Sequence, residues 1–351
     1  MKKRKILDTI KEKNIINRKE LLKVLDDLKI GLATSNILGR MDHYLFMNDR
    51  IATYNGDAFM VMEFPIGLSG SIRASEFQKL LSEMDSDELE LVLDGGQLSV
   101  GMGKSSFGLA YQELGDLSAM IELFRYDDLS WRDFPSEVGR AMGLCAFTAS
   151  KDLVKSNLSG VWVGDGDVMS SDNYRISWFQ LGGAGIKRNF LVPARQAVHL
   201  LDLDLDRYSL TESWVHFGGA GLFYSIQLLG EGFPQESRDF FPSTYGNGFE
   251  IPKQLTGVLN KVLILLQDDP LLDKYVDLSF EEDRVVCSVE KKDVGWIREE
   301  LPIQTGPKEP IVLSINPIFL REVLRYATKM VPVDENKAMF VSNNFKQLII
   351  L

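Results

Sequence analysis

Asn17-Arg18-Lys19-Glu20-Leu21-Leu22-Lys23-Val24-Leu25 begins with a capping residue, places a glutamate three positions on, and then repeats apolar side chains at helical spacing. The same shape returns at Asp133-Phe134-Pro135-Ser136-Glu137-Val138-Gly139-Arg140-Ala141-Met142 and at Ile251-Pro252-Lys253-Gln254-Leu255-Thr256-Gly257-Val258-Leu259. Glu20, Glu137 and Gln254 are evenly spaced, 117 residues apart. A hairpin follows each helix, with turns at Asp49, Gly166 and Asp283, again 117 residues apart. A second helix signal begins at Ile72, Val192 and Ile315 in turn, running on through Phe77-Gln78-Lys79-Leu80-Leu81, Arg195–Leu201 and Phe319–Leu324. Strand pairs close each copy: 88–100 with 106–111, 213–217 with 222–229, and 338–341 with 345–351.

One unit of two helices and about eight strands is therefore repeated three times. Strands predominate and alternate, so the expected class is α+β, with antiparallel sheets and the helices packed on one side. The period is too long for a solenoid. The reading divides the chain into a basic N-terminal extension (1–13) and three domains (14–125, 126–245 and 246–351).

Composition narrows the function. The chain has 351 residues, 45% hydrophobic and 25% charged, an ordinary globular balance. Its 50 acidic against 39 basic residues give a net charge of −11. That argues against a protein coating nucleic acid with its whole surface, and permits a local basic face. Cys145 and Cys287 are far apart, as are His43, His199 and His216, so neither a disulfide framework nor a zinc site is expected. The pattern fits a reducing, cytoplasmic compartment. No apolar run approaches the ~20 residues of a membrane span, and the basic leader Met1–Lys5 lacks the apolar core of a signal peptide.

The chemical motifs dissolve on inspection. Gly101-Met102-Gly103-Lys104-Ser105 contains a Gly-Lys-Ser, but Leu98 stands where a phosphate loop needs glycine, and a strand-like run follows instead of a helix. Gly182–Gly185 and Gly218–Gly221 lack dinucleotide spacing and read as turns. Asp202, Asp204 and Asp206 suggest a calcium loop, but Arg207 and Ser213 occupy its glycine and glutamate places. No nucleophile elbow or histidine–carboxylate pairing appears, and no cofactor or metal is implied. The chain is expected not to be an enzyme.

Further segments carry a resemblance to a known family. Leu158-Ser159-Gly160-Val161, Ser171-Asp172-Asn173-Tyr174-Arg175-Ile176, Phe190-Leu191-Val192-Pro193-Ala194-Arg195, Gly232-Phe233-Pro234-Gln235-Glu236-Ser237-Arg238 and Ser99–Phe107 are similar, in order, to segments of the bacterial β sliding clamp, the processivity subunit of DNA polymerase III. The resemblance covers roughly residues 14–351. Where the family has His and Gly, this chain has Tyr174 and Asn173, and it ends Gln347-Leu348-Ile349-Ile350-Leu351 in place of Met-Pro-Met-Arg-Leu. Such departures point to a divergent member, of the kind a phage would encode.

The resemblance implies a head-to-tail homodimeric ring around double-stranded DNA, without sequence readout. Basic residues of the repeat helices would line it: Lys19, Lys23, Arg140, Arg195, Lys253, Lys261, Arg321, Arg325 and Lys329. The helices are expected near 252–266 and 317–329. A replicative polymerase and a clamp loader would dock short peptides in a pocket formed by Leu158, Ser171, Tyr174, Arg175, Ile176, Pro234, Arg238, Phe319, Ile349 and Leu351. Ring closure would use Phe107 against Leu265 and Leu266. Two other readings stay open: a nucleotide hydrolase built on Lys104, and a scaffold that reuses the fold without encircling DNA.

Overall fold

The computed structural model describes residues 14–33, 40–115 and 126–351, apart from 153, 156, 165, 184, 185, 187, 231 and 247. The basic leader 1–13 and part of the Gly182–Gly185 turn lie outside the described residues.

The described elements recur in one order three times. The first repeat runs β1 (Asn14–Asn17), α1 (Arg18–Leu28), β2 (His43–Met47), β3 (Arg50–Tyr54), β4 (Ala58–Glu63), β5 (Ser69–Arg73), α2 (Ala74–Ser82), β6 (Glu88–Asp94), β7 (Gln97–Met102) and β8 (Ser105–Gln112). The second runs β9 (Arg132–Asp133), α3 (Ser136–Ala146), β10 (Gly160–Gly164), β11 (Asp167–Ser171), β12 (Arg175–Gln180), β13 (Phe190–Pro193), α4 (Ala194–Ala197), continued by a 3-10 turn (Val198–Leu201), then β14 (Arg207–Leu210), β15 (Trp214–Gly219) and β16 (Leu222–Gln227). The third runs β17 (Phe249–Glu250), α5 (Leu255–Leu265), β18 (Val276–Phe280), β19 (Arg284–Lys291), β20 (Gly295–Pro302), β21 (Ile311–Ile315), α6 (Pro317–Val323), β22 (Lys329–Asp334), β23 (Lys337–Ser342) and β24 (Phe345–Ile350). The class is α+β, and every strand pairing is antiparallel.

Two compact units cut across this repeat: the chain through Phe134 together with Asp204–Gln227, and Pro135–Leu203 together with Leu228–Leu351. The cause is strand pairing across the repeat borders. In the first unit one sheet runs β1-β6-β7-β8-β5-β2-β3-β4-β16-β15-β14-β9, so the last strands of the second repeat extend the first. In the second unit, β13-β10-β11-β12 continues into β24-β23-β22-β17, and a separate sheet runs β20-β19-β18-β21.

The two border junctions share one register. At the first, Met62 is opposite Leu222 and Ala58 opposite Ile226. At the second, Phe179 is opposite Phe345 and Arg175 opposite Ile349. Leu222 and Phe345 each open a strand after a two-residue turn, since Gly219 pairs Leu222 and Ser342 pairs Phe345. The ends match too. Glu63 N–H donates to the Gly221 carbonyl at 3.1 Å, and Gln180 N–H to that of Asn344 at 3.0 Å. At the other end, Gln227 N–H donates to the Asp57 carbonyl at 2.8 Å, and Ile350 N–H to that of Tyr174 at 2.9 Å.

Local chemistry fixes the elements. Asn17 caps α1, its side chain accepting from the amides of Lys19 and Glu20, and Asn316 caps α6 through Ile318 and Phe319; each cap contributes about 1 kcal/mol. Helix α1 buries Leu21, Val24, Leu25 and Leu28 on one face, and truncating such a leucine to alanine costs about 2–5 kcal/mol. The helices pack in pairs, α1 beside α2, α3 beside α4 and α5 beside α6. The Gly103-Lys104 pair is the turn between β7 and β8, with Met102 opposite Ser105 and Gly103 at φ +65°. This is hairpin geometry, where glycine adopts the left-handed conformation freely, and no helix follows to receive a phosphate.

Three sequence expectations need correction. The expected strand 88–100 is a hairpin, because Gly95 and Gly96 both take positive φ and turn the chain between β6 and β7. The helix expected over 252–266 is shorter, so Lys253 precedes it. The helix expected over 317–329 stops at Val323, where the Leu324 amide closes back on Leu320 and Glu322. Arg325 therefore sits in the following turn. Lys329 lies in β22, paired with Val341 and Glu250, because Met330 beside it is needed in the sheet core.

Candidate functional site

The described surface offers an apolar pocket, a set of basic side chains on the helices, and two strand edges that lack the partner their counterparts have.

The pocket lies wholly within the second unit and has a volume of about 160 Å³, room for a few apolar side chains and less than a whole small-molecule site. Its walls are Leu158, Ser171, Asn173, Tyr174, Arg175, Ile176, Pro234, Ser237, Phe240, Lys337, Leu348 and Ile350. The turn from β11 to β12 presents Tyr174. Asp172 Oδ1 accepts from the amides of Tyr174 and Arg175, each at 3.0 Å, while Asn173 takes φ +77°. Tyr174 is 41% exposed, and its ring stands 6.4 Å from that of Phe319. Beneath it, Arg175 is held from every side. Its guanidinium donates to Asp172 at 2.9 Å, to Glu322 at 2.5 Å and to the Phe147 carbonyl at 3.2 Å, and lies 4.3 Å above the Phe319 ring. Glu322 is on α6 and Arg175 on β12, so this network ties the second repeat to the third.

Six of the ten expected pocket residues line it: Leu158, Ser171, Tyr174, Arg175, Ile176 and Pro234. Four do not. Ile349 is fully buried on the opposite face of β24, because side chains alternate along a strand and Leu348 and Ile350 take the pocket side. Leu351 lines a different cleft, with Val312 and Pro332. Phe319 is buried under Arg175 and supports the floor. Arg238 is drawn away to Asp167, at 2.8 Å, and to the Trp162 ring. Six wall residues were not expected, Asn173, Ser237, Phe240, Lys337, Leu348 and Ile350; the last two carry a readable signal, the period-2 alternation of β24.

The basic residues divide by surroundings. Lys23, Arg140, Arg195 and Lys253 are exposed, as are Arg325 and Lys329. Lys19 pairs with Asp87 at 3.1 Å and Lys261 with Glu299 at 2.6 Å. Arg321 is half-buried and donates to Asn260 at 3.2 Å. Helix α1 also carries Glu20, Asp26 and Asp27, so its charge is balanced. The basic surplus lies around α4, α5 and the end of α6.

The expected closure residues separate. Phe107 is half-buried on β8. Leu265 is half-buried and Leu266 is buried in its own core, only 5% exposed, while the helix turns Ile264 outward, 70% exposed. Exposed apolar side chains gather nearby at Leu271, Leu272, Tyr275, Val294 and Trp296. No described group offers reactive chemistry of the nucleophile type. Cys145 and Cys287 are buried, and burial pushes the Cys287 thiol up to about 12 and Cys145 higher still.

Solved structures share this architecture along nearly the whole chain. The DNA polymerase sliding clamp of Bacillus subtilis superposes with a TM-score of 0.78 at 14% identity, over 96% of this chain and 98% of that one. The chain has the sliding-clamp fold. The DNA polymerase III β subunit of Borrelia burgdorferi matches this clamp fold with a TM-score of 0.79 at 15% identity, over the same shares. The β subunit of Streptococcus pyogenes DNA polymerase gives 0.77 at 18% identity, over 96% and 99%. No family model and no curated relative matches the sequence. Among the described residues no helix is long and apolar enough to cross a membrane.

Proposed function

We propose that this protein is a DNA sliding clamp: two copies close head to tail around duplex DNA in the cytoplasm and tether a replicative polymerase without catalysis of their own. One observation carries the reading. The chain uses the same strand junction twice, β4 with β16 and β12 with β24, and leaves one unused edge of each kind: β20, at the end of its sheet, and residues 105–110 of β8, whose last two residues pair with β5. The used strands are buried along most of their length. The corresponding β20 alternates half-buried and exposed residues, and β8 is exposed at four of its first six positions. An open edge of this length invites another chain, and here the complementary edge lies on a second copy.

The three repeats then act as domains 14–125, 126–245 and 246–351. Lys23, Arg140, Lys253 and Arg325 supply phosphate contacts, with Lys19, Arg195, Lys261 and Arg321 joining when DNA competes for their present partners. Such contacts hold position without reading bases. The pocket around Tyr174 takes a short apolar peptide from the polymerase or from the clamp loader. Apolar anchors in a small groove carry affinity of this kind.

The test is retention on a nicked circular plasmid after loading with the cognate loader. A clamp stays bound through gel filtration and slides off once the plasmid is linearised. Equal loss from both templates, with closed rings visible by electron microscopy, would make the protein a scaffold.

A further inference from the structure

We propose that Trp296 sets the register between copies: its backbone continues the shared junction and its indole packs over Ala110 of the second chain. This rests on the head-to-tail reading above and adds the residue that fixes it.

The repeat dictates the pairing. Arg50 is opposite Glu63, Asp167 opposite Gln180, and Arg284 opposite Pro302, so Met62, Phe179 and Leu301 are equivalent. Leu222 and Phe345 open their strands after two-residue turns, and Ser105 opens β8 the same way. Met62 meets Leu222 and Phe179 meets Phe345, so Leu301 meets Ser105 of the next copy. Counting along the strands sets Trp296 opposite Ala110. Trp296 is then equivalent to Asp57 and Tyr174, whose carbonyls accept the closing bonds from Gln227 and Ile350 at 2.8 and 2.9 Å. Ala110 N–H donates to the Trp296 carbonyl by the same rule.

Faces agree with this register. Glu299 binds Lys261 on α5 at 2.6 Å, so the alternate residue Trp296 points to the far side and is 72% exposed. On β8, Tyr111 stacks on Phe46 in the core, leaving Gly108 and Ala110 exposed on the far side. Paired residues share a face, so the largest side chain of β20 meets a small one of β8. The end of this edge opens into a cleft of about 580 Å³ with Arg40, Arg73 and Ala110 on its walls, where an indole gains cation–π contact.

The seam also differs from the internal junctions. Glu63 and Gln180 donate at one end, but their equivalent is Pro302, which has no N–H. That end therefore holds one bond fewer, and the weight of the seam shifts to Trp296.

Sedimentation over a concentration series tests this. Trp296→Ala is expected to raise the dimer dissociation constant about 30-fold, the effect of losing a buried tryptophan anchor, with circular dichroism unchanged because the side chain is exposed. Trp296→Phe should lie between. In parallel, chains carrying Glu300→Cys are mixed with chains carrying Ser106→Cys and treated with a short bismaleimide; the cross-link forms in the proposed register. With Ala110→Cys in place of Ser106→Cys the partner is four residues, about 14 Å, away, and no link forms. A dimer unaffected by Trp296→Ala, or linked through position 110, overturns the register while leaving the ring intact. A wild-type monomer at every concentration overturns the ring and this seam together.

Discussion

Replacing Arg175 by methionine should destabilise the second unit by about 3–4 kcal/mol. The guanidinium is 4% exposed and pairs with Asp172 and Glu322, themselves 13% and 23% exposed. Each charge-assisted contact is worth about 1.5–3 kcal/mol, and the stack on Phe319 adds about 0.5–2. Part of this returns in the variant. Methionine fills much of the volume, water reaches Glu322, and Asp172 keeps the amides of Tyr174 and residue 175. Breaking a buried pair from one side typically costs about 3–5 kcal/mol, and the lower half of that range applies here. For a unit of this size the calorimetric midpoint should fall by about 6–15 °C. Arg175→Lys keeps the charge but not the fork, and should recover less than half. Removing both partners, Arg175→Met with Glu322→Leu, should be less damaging than the single change, since no carboxylate is then stranded. A loss below about 1 kcal/mol for Arg175→Met, or full recovery with lysine, would refute the account of Arg175 as the tie between β12 and α6.

Three other outcomes are expected. His216 is buried against Ser225, at 2.8 Å, and burial pushes its pKa down to about 4. The unfolded chain protonates near pH 6.5, so stability of the first unit is full above that value and falls as pH drops toward 4; His216→Gln should flatten this part of the urea-midpoint profile. Ile350→Ala should weaken binding of an apolar clamp-binding peptide about tenfold by fluorescence anisotropy, while Leu351→Ala leaves it unchanged, because only Ile350 lines the pocket. Calorimetric titration with ATP should give no heat that depends on Lys104, since Gly103-Lys104 is a hairpin turn with no helix behind it.

Much of the fold was legible because the repeat is written in landmarks that local chemistry controls. Helix caps at Asn17 and Asn316, turns at Asp49, Gly166 and Asp283, and alternating strands need only near neighbours to declare themselves. Strand sharing between repeats was not legible. The edge that β4 presents to β16 is made of backbone, and backbone leaves no mark in residue types; hence the two compact units differ from the three repeats. At the pocket, segment likeness named Tyr174, Arg175 and Pro234, which line the cavity, and also Ile349 on β24 and Leu351 just past it, which do not. A slip of one residue turns every side chain of a strand to the other face, so Leu348 and Ile350 took the places assigned to their neighbours. At the expected closure pair, Leu265 is half-buried and Leu266 buried, while Ile264, two positions before Leu266 and about 200° around the helix, faces solvent.

The unlike edges β8 and β20 give the polypeptide a polarity that a self-complementary dimer lacks. Joined through these edges as proposed, copies add in one sense only, as links of a chain do, and each addition leaves one donor strand and one acceptor strand behind. Whether assembly stops depends on the angle accumulated across the joints. A substitution that tilts the Trp296 joint by a few degrees would leave the two ends unable to meet, and growth would continue as a spiral fibre.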